Sequence, residues 1–162
     1  MNDALTGLQQ GFKMPTPENL GEEKKIILET LKALVSEICR DTLIQVSEIE
    51  SGYELKIPLP DQRSQKVYIT AGRRDADGEN LFQIYTICTE ATPELYELAL
   101  RMNMELDYGA IAMHQIYDKD FLVMVDTQLV RTAQPAEIEK SILTLAEVGD
   151  DLEKILTGRD VR

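Results

Sequence analysis

Apolar residues recur at helical spacing in three segments of the chain. The first lies within residues 18–39, and the second begins after Thr92-Pro93, a capping threonine with a proline at the first helical position. The third runs from Pro135 to about Leu156 with the four-three spacing of a helix that packs along its length. The apolar positions of these predicted helices are Ile27, Leu31, Leu34 and Ile38; Leu95, Leu98, Ala99, Met102 and Leu106; and Ile138, Ile142, Leu145, Gly149, Leu152 and Leu156.

Between the helices the apolar period changes to two, which predicts strands. Pro58 places the second predicted strand at a sheet edge, because proline lacks the N–H group that a neighbouring strand needs. Asp77-Gly78 is a dipeptide favoured in hairpin turns, and Asp118-Lys119-Asp120 marks another turn. The predicted strands cover residues 44–46, 53–59, 66–74, 81–89, 109–117 and 121–127.

Strand 81–89 is apolar on both faces. Leu81, Tyr85 and Ile87 share one face, and Phe82, Ile84 and Cys88 share the other. A strand of this kind either is central in its sheet or carries an exposed apolar patch.

The order of helix, strands, helix, two strands and helix predicts an α+β fold, with an antiparallel sheet flanked by three helices. Short turns between strands require antiparallel pairing, and clustered strands framed by helices are typical of this class. We expect a flexible leader over residues 1–17, where glycine and proline interrupt any pattern, and a single domain over residues 18–162.

The chain is strongly acidic, with 17 Lys and Arg against 29 Asp and Glu and a formal net charge of −12. This argues against nucleic acid and anionic membranes as partners, since binding them needs clustered cations. Most of the acidic excess lies in residues 81–162, on the second and third predicted helices. Solvated helix faces and a docking surface for a basic partner are the two interpretations.

The sequence places the protein in the cytoplasm. Its N-terminus has Asp3 and no apolar run, so we expect no cleavable secretion signal, and no stretch approaches the roughly 18 apolar residues of a membrane-spanning helix. Cys39 and Cys88 are then expected to be free, partly buried thiols, with a single disulfide as the alternative.

No residue stands out as catalytic, metal-binding or cofactor-binding. Residues 75–80 bring three carboxylates and an amide together, but the glycine and glutamate positions of a calcium loop are not met, so a hairpin turn is the better interpretation. His114 lies in a predicted strand with no nucleophile beside it, and neither cysteine has a local cause for a lowered thiol pKa. One histidine and two cysteines also exclude multi-histidine and four-cysteine zinc sites.

Six residues are candidates for partner binding, on three grounds: an apolar strand face, flexible methionines outside the predicted core, and the one local excess of positive charge in the sequence. In that order they are Tyr85 and Ile87, Met104 and Met113, and Arg73 and Arg74. The alternatives are core packing for the methionines and, for the arginines, charges that keep the end of a hairpin soluble.

The stretches TPELYELALRMNMELDYGAIAMHQIYDKDFLVMVDTQL and PAEIEKSILTLAEVGDDLEKIL resemble the YbjN-like family of bacterial proteins, whose fold is like that of type III secretion chaperones. The likeness covers about residues 22–157 and rests on the capped helix, the hairpin and the final acidic helix. It implies a small α+β domain, often dimeric, with a binding rather than a catalytic role. Secretion chaperones hold an extended partner segment on their sheet and helix surfaces.

The function expected from these observations is that of a non-catalytic protein-binding module, a chaperone-like or adaptor homodimer that holds a segment of a partner protein. One alternative is a regulatory domain with a small-ligand pocket between the second helix and the sheet. The other is an enzyme whose carboxylates only the fold brings together, since the sequence carries none of the common nucleotide, hydrolase or zinc-protease signatures.

Overall fold

A computed structural model describes residues 21–157, apart from the side chains of residues 22, 23, 72, 73 and 157. The expected leader and the residues that would cap the first helix lie outside this range. The elements, in chain order, are α1 (Gly21–Ile38), β1 (Gln45–Ile49), β2 (Gly52–Pro58), β3 (Ser64–Arg74), β4 (Asn80–Glu90), α2 (Pro93–Met102), β5 (Ala110–Ile116), β6 (Lys119–Leu129), a short 3₁₀ helix (Val130–Thr132) and α3 (Pro135–Thr157).

The strands form one six-stranded sheet in the order β1-β2-β3-β4-β6-β5. Every pair of neighbouring strands is antiparallel. Strands β1 to β4 follow one another through short turns. After β4, α2 leads the chain to β5 at the far edge of the sheet, and β6 then fills the position between β5 and β4. The α+β class and the antiparallel sheet predicted from the sequence are confirmed.

Three details of the prediction are wrong. Strand β2 is not an edge strand, because β1 and β3 pair on either side of it and Pro58 is only its last residue, opposite Ser64. Helix α2 ends at Met102, so Leu106 follows the helix, although it still packs against the core. The β5–β6 turn centres on Tyr117 and Asp118, whose φ angles are 47° and 63°, and β6 already begins at Lys119.

The core lies between the three helices and one face of the sheet, which we call the inner face. In the middle strands, alternate residues such as Leu55, Val67 and Ile84 are fully buried there. The seam predicted along the last helix is confirmed, since its members are buried: Ile138, Ile142, Leu145, Gly149, Leu152 and Leu156. Burial of each large aliphatic side chain contributes about 1.5–3 kcal/mol to the stability of the fold.

Helix α3 approaches the sheet closely at Gly149. A Cβ atom at this position would lie 2.5 Å from the Cγ2 atom of Thr86. Thr86 cannot easily move away, because its hydroxyl donates a hydrogen bond to the carbonyl of Lys66 at 2.8 Å and accepts one from the Gln65 amide at 2.7 Å. These two buried polar side chains are therefore satisfied, and they fix the distance between helix and sheet.

No helix within the described residues is long and apolar enough to cross a membrane.

We predict that Gly149→Ala destabilises the protein by about 1–3 kcal/mol through overpacking, even though alanine is the better helix former. Thr86→Ser keeps the hydroxyl and removes the clashing methyl group. In that background Gly149→Ala should cost much less, which a double-mutant cycle of urea unfolding measures. Equal costs in both backgrounds would show that the close approach does not set the helix position.

Candidate protein-binding surface

The second face of the sheet, which we call the outer face, carries a continuous row of apolar and aromatic residues. Cross-strand partners share a face, and the register places Tyr68 opposite Tyr85, and Tyr85 in turn opposite Val125. Farther along, Val123 lies between Ile87 on β4 and Ala112 on β5. The outer-face residues of β3 to β5 used below are Tyr68, Tyr85, Ile87, Phe121, Val123, Val125, Ala112 and His114.

Three rings lie side by side across this face. The Tyr68 and Tyr85 rings are stacked, with centroids 5.0 Å apart and planes inclined by 19°. The ring of His114, from β5, lies 6.1 Å from that of Tyr85 and is tilted by 58°. The aromatic surface therefore spans β3, β4, β6 and β5, and it gives His114 a ring neighbour instead of a catalytic partner.

The outer face lies apart from the core that the helices cover. None of its residues belongs to the core cluster that the helices and the inner face form within the described part of the chain. Val123 is nevertheless only 3% exposed, whereas Tyr68, Tyr85 and Ile87 remain half-buried. An apolar sheet face in this state is typical of a contact surface for another molecule.

The tyrosines of this face are uncharged at neutral pH. Burial raises the pKa of the Tyr85 phenol, with a further contribution from Tyr68. Burial also raises the pKa of Tyr68, and the nearby Glu54 carboxylate raises it further through its charge and a hydrogen bond. Charged pairs lie at both ends of this row: Lys66 and Glu54 form an ion pair at 2.9 Å, and Glu90, the cross-strand partner of Phe121, pairs with Lys119 at 3.1 Å. The row thus offers apolar contact and neutral hydroxyl groups.

The sequence-predicted residues fall into three places. Tyr85 and Ile87 lie together on the outer face. Met104 and Met113 are 85% and 56% exposed, whereas Met124 is fully buried and Met102 packs against the core. Both exposed methionines belong to the α2–β5 side of the molecule, away from the tyrosines in the sheet order.

The arginines of the basic segment are described only in part. The side chain of Arg73 lies outside the described residues, and Arg74 donates a hydrogen bond to Asn80 at 3.3 Å. Arg63 is drawn to α3, where it pairs with Asp150 at 2.7 Å. Arg63 and Arg74 of the basic segment therefore both have partners within the chain.

A contact that the sequence did not reveal is made by the side chain of Asn103, just after α2. Its Oδ1 atom accepts a hydrogen bond from the N–H of Ile111 at 2.6 Å, and its Nδ2 atom donates one to the carbonyl of Ile111 at 3.2 Å. Asparagine is common at helix ends, so nothing in the sequence pointed to a contact with the edge of the sheet.

Residues 75–79 form a hairpin turn, as predicted. The Asp75 carboxylate accepts hydrogen bonds from the N–H groups of Asp77 and Glu79, at 3.0 and 2.9 Å, and Gly78 has a φ of 83°. Within the described residues, no group of three or more His, Cys, Asp or Glu side chains is placed to hold a metal ion.

A cleft of about 510 Å³ lies between α1 and the β1–β2 end of the sheet, not between α2 and the sheet where a ligand pocket was expected. Five of its eight lining residues are charged, whereas small-molecule sites are lined mainly by hydrophobic and aromatic side chains. The lining residues include Lys24, Lys25, Lys32, Glu29, Glu48 and Tyr53.

Both cysteines are free thiols, and both are poor nucleophiles. Burial raises the pKa of the Cys88 thiol to about 12. Burial also raises the pKa of Cys39, and the charge of Glu139 adds to the effect. Because the thiolate is the reactive form, neither cysteine is prepared for nucleophilic chemistry.

No protein-family model and no curated protein matches the chain. A solved structure to which it is similar is the type III secretion chaperone SycH of Yersinia pestis, in complex with a stable fragment of YscM2. The sequence identity is 14% and the TM-score is 0.47, and the match covers 78% of this chain and 98% of that chain. A likeness at this level carries no argument, so conclusions about function rest on the residues of this chain.

We predict that Cys88 is almost inert in the folded protein. With a pKa of about 12, only about one thiol in ten thousand is ionised at pH 8. In a Cys39→Ser variant, alkylation by iodoacetamide at pH 8 should be at least 100-fold slower in the folded protein than in guanidinium chloride, as mass spectrometry can follow. Rapid labelling of the folded variant would contradict the buried position of Cys88.

Proposed function

We propose that this chain is a non-catalytic protein-binding module that holds a segment of a partner protein. The observation that carries the proposal is the outer face of the sheet, where the apolar row centred on Tyr85 and Ile87 lacks a helix cover in the described residues. Apolar area of this kind is stabilised when another surface removes it from water. A half-buried face with tyrosine hydroxyls is also well suited to contact a protein, because tyrosine combines apolar area with a hydrogen-bonding group.

The chemistry of the described residues favours binding over catalysis. A catalytic site needs a nucleophile or an acid–base pair held within hydrogen-bond reach. The one histidine, His114, is exposed and contacts Tyr85, and the two thiols have raised pKa values. Asp126, the carboxylate most closely held by hydrogen bonds, accepts them from Ser141 and Gln128 and so links β6 to α3. We therefore assign no enzymatic activity to the chain.

The proposal extends to the class and the assembly of the protein. The order of its elements matches the one implied by the YbjN-like resemblance, and on this basis we assign it a chaperone-like or adaptor role. We further propose that residues 18–162 act as one domain, that the protein is a homodimer and that it works in the cytoplasm. Two free thiols are the state expected in a reducing compartment.

If the protein is a homodimer, its mass in solution is twice that of the chain. Light scattering during size-exclusion chromatography at micromolar concentration measures this mass. The mass should fall on dilution only if the dimer is weak. A single monomer mass across the whole concentration range would contradict the dimer and would leave the binding surface unaffected.

The binding role predicts that the tagged full chain captures a specific protein from lysate of its native organism, identified by quantitative mass spectrometry. Tyr85→Ser and Ile87→Ser should each lower that capture at least tenfold, because they remove apolar contact area from the outer face. Thr127→Ser is the matched control, since Thr127 lies on the same face opposite Gln83. Circular dichroism checks that each variant is folded. Capture that survives both outer-face substitutions would contradict this use of the surface.

A further inference from the structure

Among the described residues, strand β5 forms an edge of the sheet, and it lacks the charged residues and proline that usually protect an edge. Its sequence, AIAMHQI, has no proline and no Asp, Glu, Lys or Arg. Natural proteins normally place charged residues or proline on such strands, because free main-chain groups at an edge pair readily with another chain. The opposite edge, β1, does carry a charge, at Glu48.

The contact with Asn103 shows which main-chain groups of β5 point away from the sheet. In an antiparallel pair, alternate residues direct both the N–H and the C=O towards the neighbouring strand. Since Ile111 directs both of its groups to Asn103, the same orientation applies to Met113 and Gln115. Within the described residues, no hydrogen bond is found to the main-chain N–H or C=O of either one.

Asn103 already occupies one pairing position on this edge. Its carboxamide both accepts from and donates to the main chain of Ile111, as a residue of a further strand would do. The edge is therefore closed at its α2 end and ends at the Tyr117–Asp118 turn on the other side. Between them lies an open stretch, Met113–Ile116, with up to four main-chain groups that have no hydrogen-bond partner among residues 21–157.

The surroundings of the open stretch are acidic. Exposed carboxylates precede β5 in the loop after α2 and follow it in the turn, and Asp120 lies directly opposite Gln115. Two cations lie near these carboxylates. Lys119 is paired with Glu90 at 3.1 Å. Lys140 lies 4.9 Å from the centre of the Tyr108 ring, and a hydrogen bond with Tyr108 and the charge of Asp107 help to raise the pKa of this lysine. A second copy of this chain would bring the same negative charges to the edge, whereas a basic segment would be attracted. The exposed carboxylates are Glu105, Asp107, Asp118 and Asp120.

We propose that the open stretch Met113–Ile116 adds one extended strand from a partner protein, that this strand carries lysine or arginine, and that Asn103 fixes where the pairing stops. The inference rests on the proposed protein-binding function and names the segment that the module holds. Main-chain hydrogen bonds supply the pairing. The side chain of Met113, 56% exposed, offers apolar contact on the helix side of the strand.

The test uses the folded full chain and two synthetic eight-residue peptides, one alternating lysine with valine and one alternating glutamate with valine. We expect saturable binding of the lysine peptide in 50 mM salt, at least tenfold tighter than that of the glutamate peptide, and weakened in 500 mM salt by screening. Amide hydrogen exchange followed by NMR should slow at least tenfold at Met113 and Gln115 when the lysine peptide binds. Equal binding of the two peptides, or unchanged exchange at both amides, would overturn the proposal.

Substitutions separate main-chain pairing from side-chain contact. Met113→Pro removes the outward N–H, and Met113→Ala shortens the side chain but keeps the N–H. We expect the proline variant to lose at least tenfold in affinity for the lysine peptide relative to the alanine variant. If the proline variant does not fold, the exchange measurement on the unchanged chain decides the question alone. Equal affinities in two folded variants would overturn strand addition.

The Asn103→Ala variant tests whether Asn103 sets the end of the strand pairing along β5. In the free variant the amide of Ile111 should exchange at least tenfold faster than in the unchanged chain, and addition of the lysine peptide should protect it again. An Ile111 amide that the peptide leaves unprotected would show that Asn103 does not limit the pairing.

Failure of the edge proposal and failure of the proposed function are distinguishable. A lysine peptide that perturbs Tyr85 and Val125 but leaves Met113 and Gln115 unprotected overturns the edge proposal and keeps the outer face as the binding surface. Protection at the edge, together with lysate capture that is indifferent to Tyr85→Ser and Ile87→Ser, keeps the edge and removes the outer face.

Discussion

The contact between Gly149 of α3 and Thr86 of β4 sets the distance at which helices and sheet can pack. A glycine in the middle of a helix is unfavourable by itself, by about 1 kcal/mol relative to alanine. Here it lets α3 lie against the middle of the sheet, over a threonine that two hydrogen bonds hold in place. The long α3 can then bury its whole apolar seam against the inner face. The helices of the described residues therefore pack on the inner face, and the outer-face residues do not belong to the core that these helices cover.

That asymmetry explains why the molecule presents an apolar sheet surface. In a two-layer α+β fold, one face of the sheet is buried by helices and the other is normally polar. On the outer face of β2 and the adjoining part of β3, the expected polar pattern is present, as the Glu54–Lys66 pair shows. From Tyr68 across to His114 it is replaced by aromatic and aliphatic side chains. The change within a single face marks off a surface whose composition serves something other than solubility.

Charge is distributed so that the two binding features differ in character. The outer face carries neutral phenols, because burial keeps the pKa of both Tyr68 and Tyr85 raised. The β5 edge, by contrast, has exposed carboxylates on either side of it in the chain, and Lys119, which lies opposite Ile116, is paired with Glu90. A partner that is basic and has an apolar face would satisfy both features. The overall acidity of the chain is therefore informative about a partner only at the edge of the sheet.

The sequence by itself determined the elements, their order and most of their buried positions, because hydrophobic periodicity is a local property of the chain. Leu98 of α2 is an exception, since it belongs to the predicted apolar stripe and is 40% exposed. The seam of α3, the two faces of β4 and the Asp77-Gly78 turn all agree with the structure. Only the tertiary structure decided which strand forms an edge. Pro58 pointed to β2, yet a proline at the last residue of a strand leaves the rest of the ladder free to pair on both sides. Nor could local patterns show that Tyr68, Tyr85 and His114 form one row, or that Asn103 pairs with Ile111, because these contacts join residues that only the strand order brings together.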